Sequence, residues 1–125
     1  MKLNVDCIRA VLLEIEKIPY GQNLRPKTLY SSLETFAEED INYSIIKLKE
    51  AGFIDAVIVE SDDGFIFRFL VNDITWDGHQ FLNNVREASV WEKAKEKCRK
   101  IGSLSIPILS DAASAILSSL ITSQF

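Results

Sequence analysis

Apolar residues recur at helical spacing from the start of the chain, where Ile8, Val11, Leu12, Ile15 and Ile18 form one stripe. Asn4 can cap this segment, and Pro19 and Gly21 close it. A second stripe, Ala37, Ile41, Ile45 and Leu48, predicts a helix opening at Thr35, where Thr35-Phe36-Ala37-Glu38 has the form of a capping box. Gly52 suits the left-handed position just past its end. Between them, 27–33 puts Leu29, Ser31 and Leu33 on one side, which predicts a short strand. A short helix opened by Pro26 and running through Leu33 is the alternative.

Ile54–Glu60 and Phe65–Val71 are rich in β-branched and aromatic residues, and Ser61-Asp62-Asp63-Gly64 between them carries a tight-turn signal. Together they predict a hairpin. Its second strand sets Phe65, Phe67, Phe69 and Val71 on one face and Ile66, Arg68 and Leu70 on the other. Both faces are mainly apolar, so something is expected to cover the back. Three helices follow. Thr75 can cap 76–85, where Gly78 costs helix propensity and makes sense if the backbone passes close to a neighbour. Ser89-Val90-Trp91-Glu92 reads as a capping box opening a helix to Lys100, with Trp91, Ala94, Cys98 and Ile101 as its apolar line and Gly102 ending it. Over 105–122 Leu109, Ala113, Ile116, Leu117, Leu120 and Ile121 make a broad apolar face, and Ser110, Ser114 and Ser118 lie on another.

Helix, short strand, helix, hairpin, helix is the order of a winged helix. The expected fold is α+β: a winged-helix-like domain over 1–88, with a small antiparallel sheet and a β-hairpin wing, plus a C-terminal helical extension over 89–125, all within one structural domain. Residues 41–54 look like the recognition helix and first wing strand of many transcription regulators. The chain also resembles a bacterial and phage-borne family of unknown function, number 2513 among such domains. The resemblance covers nearly the whole length. It rests on Met1-Lys2-Leu3 leading into 8–15, on Leu48-Lys49-Glu50-Ala51-Gly52-Phe53-Ile54, on Ile74-Thr75-Trp76-Asp77-Gly78-His79-Gln80-Phe81-Leu82 and on Val90-Trp91. It implies a winged-helix-like fold in a phage or mobile-element setting, and it brings no activity, cofactor or catalytic residue. Ser44 departs from the pattern, since a histidine is expected there.

Composition narrows the class. The chain has 125 residues, 47% hydrophobic and 26% charged, which suits one globular core. The N-terminus has no apolar signal region, and Cys7 and Cys98 each fall on the apolar side of a helix, so buried thiols and a cytoplasmic location are expected. The net charge of −4 is no footprint of nucleic-acid binding. Residues 37–72 hold three basic against eight acidic side chains, whereas 91–100 hold five basic against two acidic.

No enzyme motif is present. His79 is the sole histidine, no Gly-x-Ser-x-Gly or glycine-rich phosphate loop occurs, and Asp62-Asp63 lacks further ligands at cation-loop spacing. The sequence therefore predicts no catalysis, no cofactor and no metal. Two binding functions stay open. As a DNA-linked regulator, which the fold so often is, the chain would present Asn42, Tyr43, Ile46, Lys47 and Lys49 from the second long helix and Arg68 from the wing. Lys93, Lys97 and Lys100 would form a second basic patch. Against DNA stand Glu38, Glu39 and Asp40 at the reading end of that helix. The alternative is a protein-interaction adaptor using the same acidic surface. Self-association, a homodimer through Leu109, Ala113, Ile116, Leu117, Leu120 and Ile121, is compatible with either. With Asp111 and Pro107, that tail reads as too short for a membrane span of about 20 residues, so no membrane partner is expected.

Overall fold

In a computed structural model, which describes residues 1–60 and 67–124, the chain is α+β. The described residues form six helices and one two-stranded antiparallel sheet. The chain makes two compact units, Met1–His79 and Gln80–Phe125.

In the first unit α1 (Val5–Glu16) begins where Asn4 Oδ1 accepts the Cys7 N–H at 3.1 Å. Its Cys7, Ile8, Val11, Leu12 and Ile15 are buried, and α1 packs on α3 (Glu38–Glu50). On α3 Ile41, Ile45 and Leu48 are buried as the spacing predicts, and so is Ser44, whose hydroxyl donates to the Asp40 carbonyl at 2.8 Å. Two expectations fail here. The helix opens at Glu38, not at Thr35, and Ala37 is an exposed N-cap rather than part of the buried stripe. Thr35 is held in a turn, where Phe36 N–H donates to the Leu33 carbonyl, so no capping box forms. Glu38, Glu39 and Asp40 complement the helix dipole in its place. The C-terminal end behaves as expected. Gly52 has φ +76, its N–H donates to Lys49 O, and Phe53 N–H donates to Leu48 O, the two bonds of a Schellman ending.

The segment expected as a strand, 27–33, is a helix: α2 runs Pro26–Ser32. Seven residues cannot separate the two periods, since Leu29 and Leu33 are spaced for one helix face as well as for alternation, and both are buried. Pro26 at the first helical position tips the balance, its missing N–H being one a helix start leaves unpaired anyway. Strand pairing falls instead on Leu24, which exchanges both backbone hydrogen bonds with Val71 in a single bridge.

The hairpin is β1 (Ile54–Glu60) against β2 (Phe67–Ile74). The expected turn at 61–64, and Phe65 and Ile66 beyond it, lie outside the described residues. A bulge between Asp55 and Ala56 leaves Asn72 without a partner and reverses the parity of β2. Phe69 and Val71 on one side of the bulge and Ile74 on the other thus share the buried face, opposite Ile58, Ala56 and Ile54. On the opposite face Val57 and Val59 are exposed and Leu70 is half-buried.

The hairpin leads into α4 (Trp76–Val85), capped by Thr75 as predicted: its hydroxyl accepts the Gly78 N–H at 3.1 Å. The same hydroxyl donates to the Gly52 carbonyl, and Thr75 N–H donates to the Phe53 carbonyl at 3.0 Å. Gly78 is therefore pressed against the end of α3. A Cβ there would stand 2.1 Å from Phe53 O and 2.6 Å from Ile74 Cγ2.

In the second unit α5 (Ala88–Lys100) is capped by Glu87, two residues before the expected Ser89. The Glu87 carboxylate accepts the Ser89 N–H at 2.8 Å and its hydroxyl at 2.9 Å, so the charged acceptor displaces the predicted serine cap. Trp91, Ala94 and Cys98 are buried, but Ile101 is exposed where the apolar line expected it inside, because α5 has ended at Lys100 and Ile101 is its C-cap, followed by Gly102 with φ +77 and its own Schellman pair. Lys95 is buried although charged. Its Nζ sits 3.0 Å from Glu92 Oε1 and 5.6 Å from the Trp91 ring centroid. The last helix, α6 (Ile106–Gln124), packs along α5, and Asn84 donates to the Ser110 hydroxyl at 3.1 Å. Both cysteines are free and buried, as expected.

Candidate functional site

Two surfaces carry the residues the sequence singled out. The first is the outward side of α3. Asn42, Tyr43, Ile46 and Lys47 are half-buried and Lys49 is exposed, so the helix does turn this face outward. Two of its polar side chains, Asn42 and Lys47, are engaged. The Tyr30 hydroxyl on α2 donates to Asn42 Oδ1, the acceptor an adenine contact would need. Burial pushes the Tyr30 pKa up, with the Asn42 bond pulling the other way. The Tyr30 ring also meets Phe69 of β2 edge-on, with centroids 6.3 Å apart, so one side chain ties α2, α3 and the sheet together. No pattern in the sequence marks Tyr30 for this role, since in a strand it would point away from Leu29.

Lys47 lies 2.9 Å from Glu50 Oε2, and its Nζ is 5.3 Å from the Tyr43 ring centroid. The hydrogen bond to the Glu50 carboxylate pushes its pKa up. At the other end Glu38 and Glu39 are exposed. Position 44 proves to be buried, so the serine found in place of histidine acts on packing and not on outward recognition. Arg68 is exposed on β2, beside Arg25 at the start of α2. A cleft of about 260 Å³ lies between them, floored by Val57, Val59, Phe69 and Leu70. Arg25 was not anticipated, because only the fold brings it to the hairpin.

The second surface is on the α5–α6 pair. Lys93, Lys97 and Lys100 line a cleft of about 350 Å³ with Glu96, Ala115, Ile116, Ser119 and Leu120. Lys100 pairs loosely with Glu96 at 3.8 Å. The six self-association candidates separate by depth. Leu109, Ala113 and Ile116 are buried, Leu117 is half-buried, and Leu120 and Ile121 are exposed. The first three are thus core residues of the folded chain. Against the expectation from its composition, α6 is 19 residues long and 106–123 is apolar enough to cross a membrane by length and composition. His79 is half-buried, and among the described residues no cluster of histidine, cysteine or acidic side chains could hold a metal.

A family model described as Hypothetical protein (DUF2513) matches residues 2–105, from α1 through the end of α5. The chain belongs to this family. The DUF2513 match takes in the clamp of Thr75 and Gly78 on the end of α3, and it stops just before α6. A protein described as uncharacterized, from Haemophilus influenzae (strain ATCC 51907 / DSM 11121 / KW20 / Rd), is 31% identical over 124 residues, 97% of this chain and 99% of that protein. No solved structure matches the chain.

Four residues of the string most distinctive of the DUF2513 resemblance, 75–82, have a structural role. Thr75 and Gly78 hold α4 to α3, and Phe81 and Leu82 are buried.

Proposed function

We propose that this chain is a winged-helix binding module that recognises another protein, with the outward side of α3 and the outer face of the hairpin as its contact surface. The element order supports the winged-helix reading: α1, a one-residue bridge at Leu24, α2, α3 and then the β1–β2 hairpin. In that arrangement α2 and α3 form the helix pair, and α3 occupies the recognition position.

The observation that carries the choice of partner is the state of α3's polar side chains. Asn42 is bonded to Tyr30, Lys47 is paired with Glu50, and the exposed groups at the N-terminal end are the carboxylates of Glu38 and Glu39. A DNA reader draws most of its affinity from cations that neutralise phosphates, and its recognition helix enters the groove by its N-terminal residues. DNA-linked regulation in a phage or mobile-element setting, the function that fold analogy favours, is the reading this surface opposes. Protein surfaces impose no such uniform charge demand, and half-buried Tyr43 and Ile46 are suitable anchors.

Fluorescence anisotropy with random duplex DNA at about 50 mM salt tests the choice. No measurable binding is expected. Micromolar binding that weakens steeply toward about 200 mM salt would return the module to DNA.

A second reading concerns α6. Leu120 and Ile121 stay exposed on a helix that is otherwise strongly apolar, which supports self-association of two copies through its C-terminal half.

A further inference from the structure

We infer that the outer face of the hairpin is a docking groove for an extended peptide segment whose aliphatic side chains are flanked by carboxylates. The inference rests on the protein-binding reading above and specifies one partner chemistry for part of that surface.

The register places the groove. Val57 faces Leu70 and Val59 faces Arg68 across the ladder, so all four lie on the side of the hairpin opposite the core. Strand positions that face water normally carry polar residues. Here Val57 is 53% and Val59 56% exposed, which leaves an aliphatic strip open on a small sheet. Arg25 completes one wall of the cleft and Arg68 another, and neither makes an ion pair among the described residues.

Their setting makes this informative. Residues 1–79 hold fourteen acidic and eight basic side chains, yet two guanidinium groups remain together beside an apolar floor. A planar guanidinium matches a carboxylate through two parallel hydrogen bonds, and the valine strip matches aliphatic side chains. A duplex would offer the arginines phosphates, but it has nothing for the apolar floor. An extended chain presents every second side chain to one surface, so a peptide whose groove-facing positions run aspartate, leucine, aspartate satisfies both walls and floor.

The test uses the full chain and a fluorescein-labelled peptide in which every second residue is aspartate or leucine in turn, with serine between them, so that both share one face of the extended chain. A lysine–leucine peptide of equal length and a random duplex serve as comparisons. Binding of the acidic peptide is expected, with methyl NMR shifts centred on Val57, Val59 and Leu70. R25Q and R68Q should each weaken it about tenfold. V57T with V59T, which keeps shape and strand propensity while adding hydroxyls, should weaken it further without changing the far-UV circular dichroism. Equal binding of the lysine peptide, or shifts centred elsewhere, overturns the groove. Absence of peptide binding together with absence of duplex binding overturns this site alone and leaves α3 as the protein-binding surface. Duplex binding that is lost in R25Q and R68Q overturns both proposals.

Discussion

Gly78→Ala sets two physical effects of opposite sign against each other. Gly78 lies in the first turn of α4, where helix propensity alone favours alanine by up to about 1 kcal/mol. The added Cβ would stand 2.1 Å from the Phe53 carbonyl oxygen, 2.6 Å from Ile74 Cγ2 and 2.9 Å from the Phe53 carbonyl carbon. Non-bonded heavy atoms rest at roughly 3.5 Å, so α4 would have to retreat by about 1 Å or more. Two of the three close atoms are backbone at the end of the α3 Schellman turn, which cannot rotate away as a flexible side chain can. Retreat also stretches the Thr75 N–H bond to Phe53 O and the Thr75 hydroxyl bond to Gly52 O. Overpacking costs about 1–3 kcal/mol, and two weakened hydrogen bonds add about 1 kcal/mol each. After the propensity gain, the net loss is about 2–4 kcal/mol. At about 4 °C per kcal/mol for a chain of this size, the melting temperature should fall by roughly 10 °C. Thermal and urea unfolding followed by far-UV circular dichroism measure this, with exposed Gln80→Ala in the same helix expected within about 0.5 kcal/mol of the parent. An unchanged or raised melting temperature for Gly78→Ala would refute the clamp, because propensity would then have outweighed the contact.

Other expectations follow from the same structure. Thr75→Val removes the cap on Gly78 N–H and the donor to Gly52 O, and should cost about 1–2 kcal/mol in urea unfolding, most of it recovered by Thr75→Ser. Burial pushes the Cys7 thiol pKa up and the negative charge of Asp40 adds to this, while the Ser44 hydroxyl opposes it; burial likewise raises Cys98. The folded state therefore binds these protons more tightly than the unfolded chain. The associated stability is complete below the unfolded thiol pKa of about 8.5 and declines as pH rises beyond it. Urea midpoints measured across that range should fall in the parent and fall less in Cys7→Ala, and neither thiol should react quickly with Ellman's reagent before unfolding. If α6 pairs two copies, light scattering should give a dimer mass for the parent and a monomer mass for Leu120→Ser with Ile121→Ser. A monomeric parent at high micromolar concentration removes that reading.

Much of this molecule is written locally. The Asn4 cap, the buried rows Ile8-Val11-Leu12-Ile15 and Ile41-Ile45-Leu48, the stop at Gly52 and the Thr75 cap depend on side chains within a turn or two of one another, so spacing alone reveals them. Neighbouring alternatives of similar local energy were settled by the fold. Over 27–33 the spacing suited a strand as well as a helix, and with Pro26 placed at the first helical position the segment is a helix beside β2 and α1, with Leu24 taking the sheet contact. Thr35 and Ser89 had the right form for caps. They lost to a turn at Leu33–Phe36 and to the Glu87 carboxylate, because a cap is a competition for one hydrogen bond and not a property of a tetrapeptide. Long-range consequences had no signature in spacing: Tyr30 bonding Asn42, Arg25 and Arg68 lining one cleft, and Phe53 O pressing on Gly78 join residues 12 or more positions apart. Chain order determines which side chains are available, whereas which of them spend their hydrogen bonds on each other is decided only when distant segments pack.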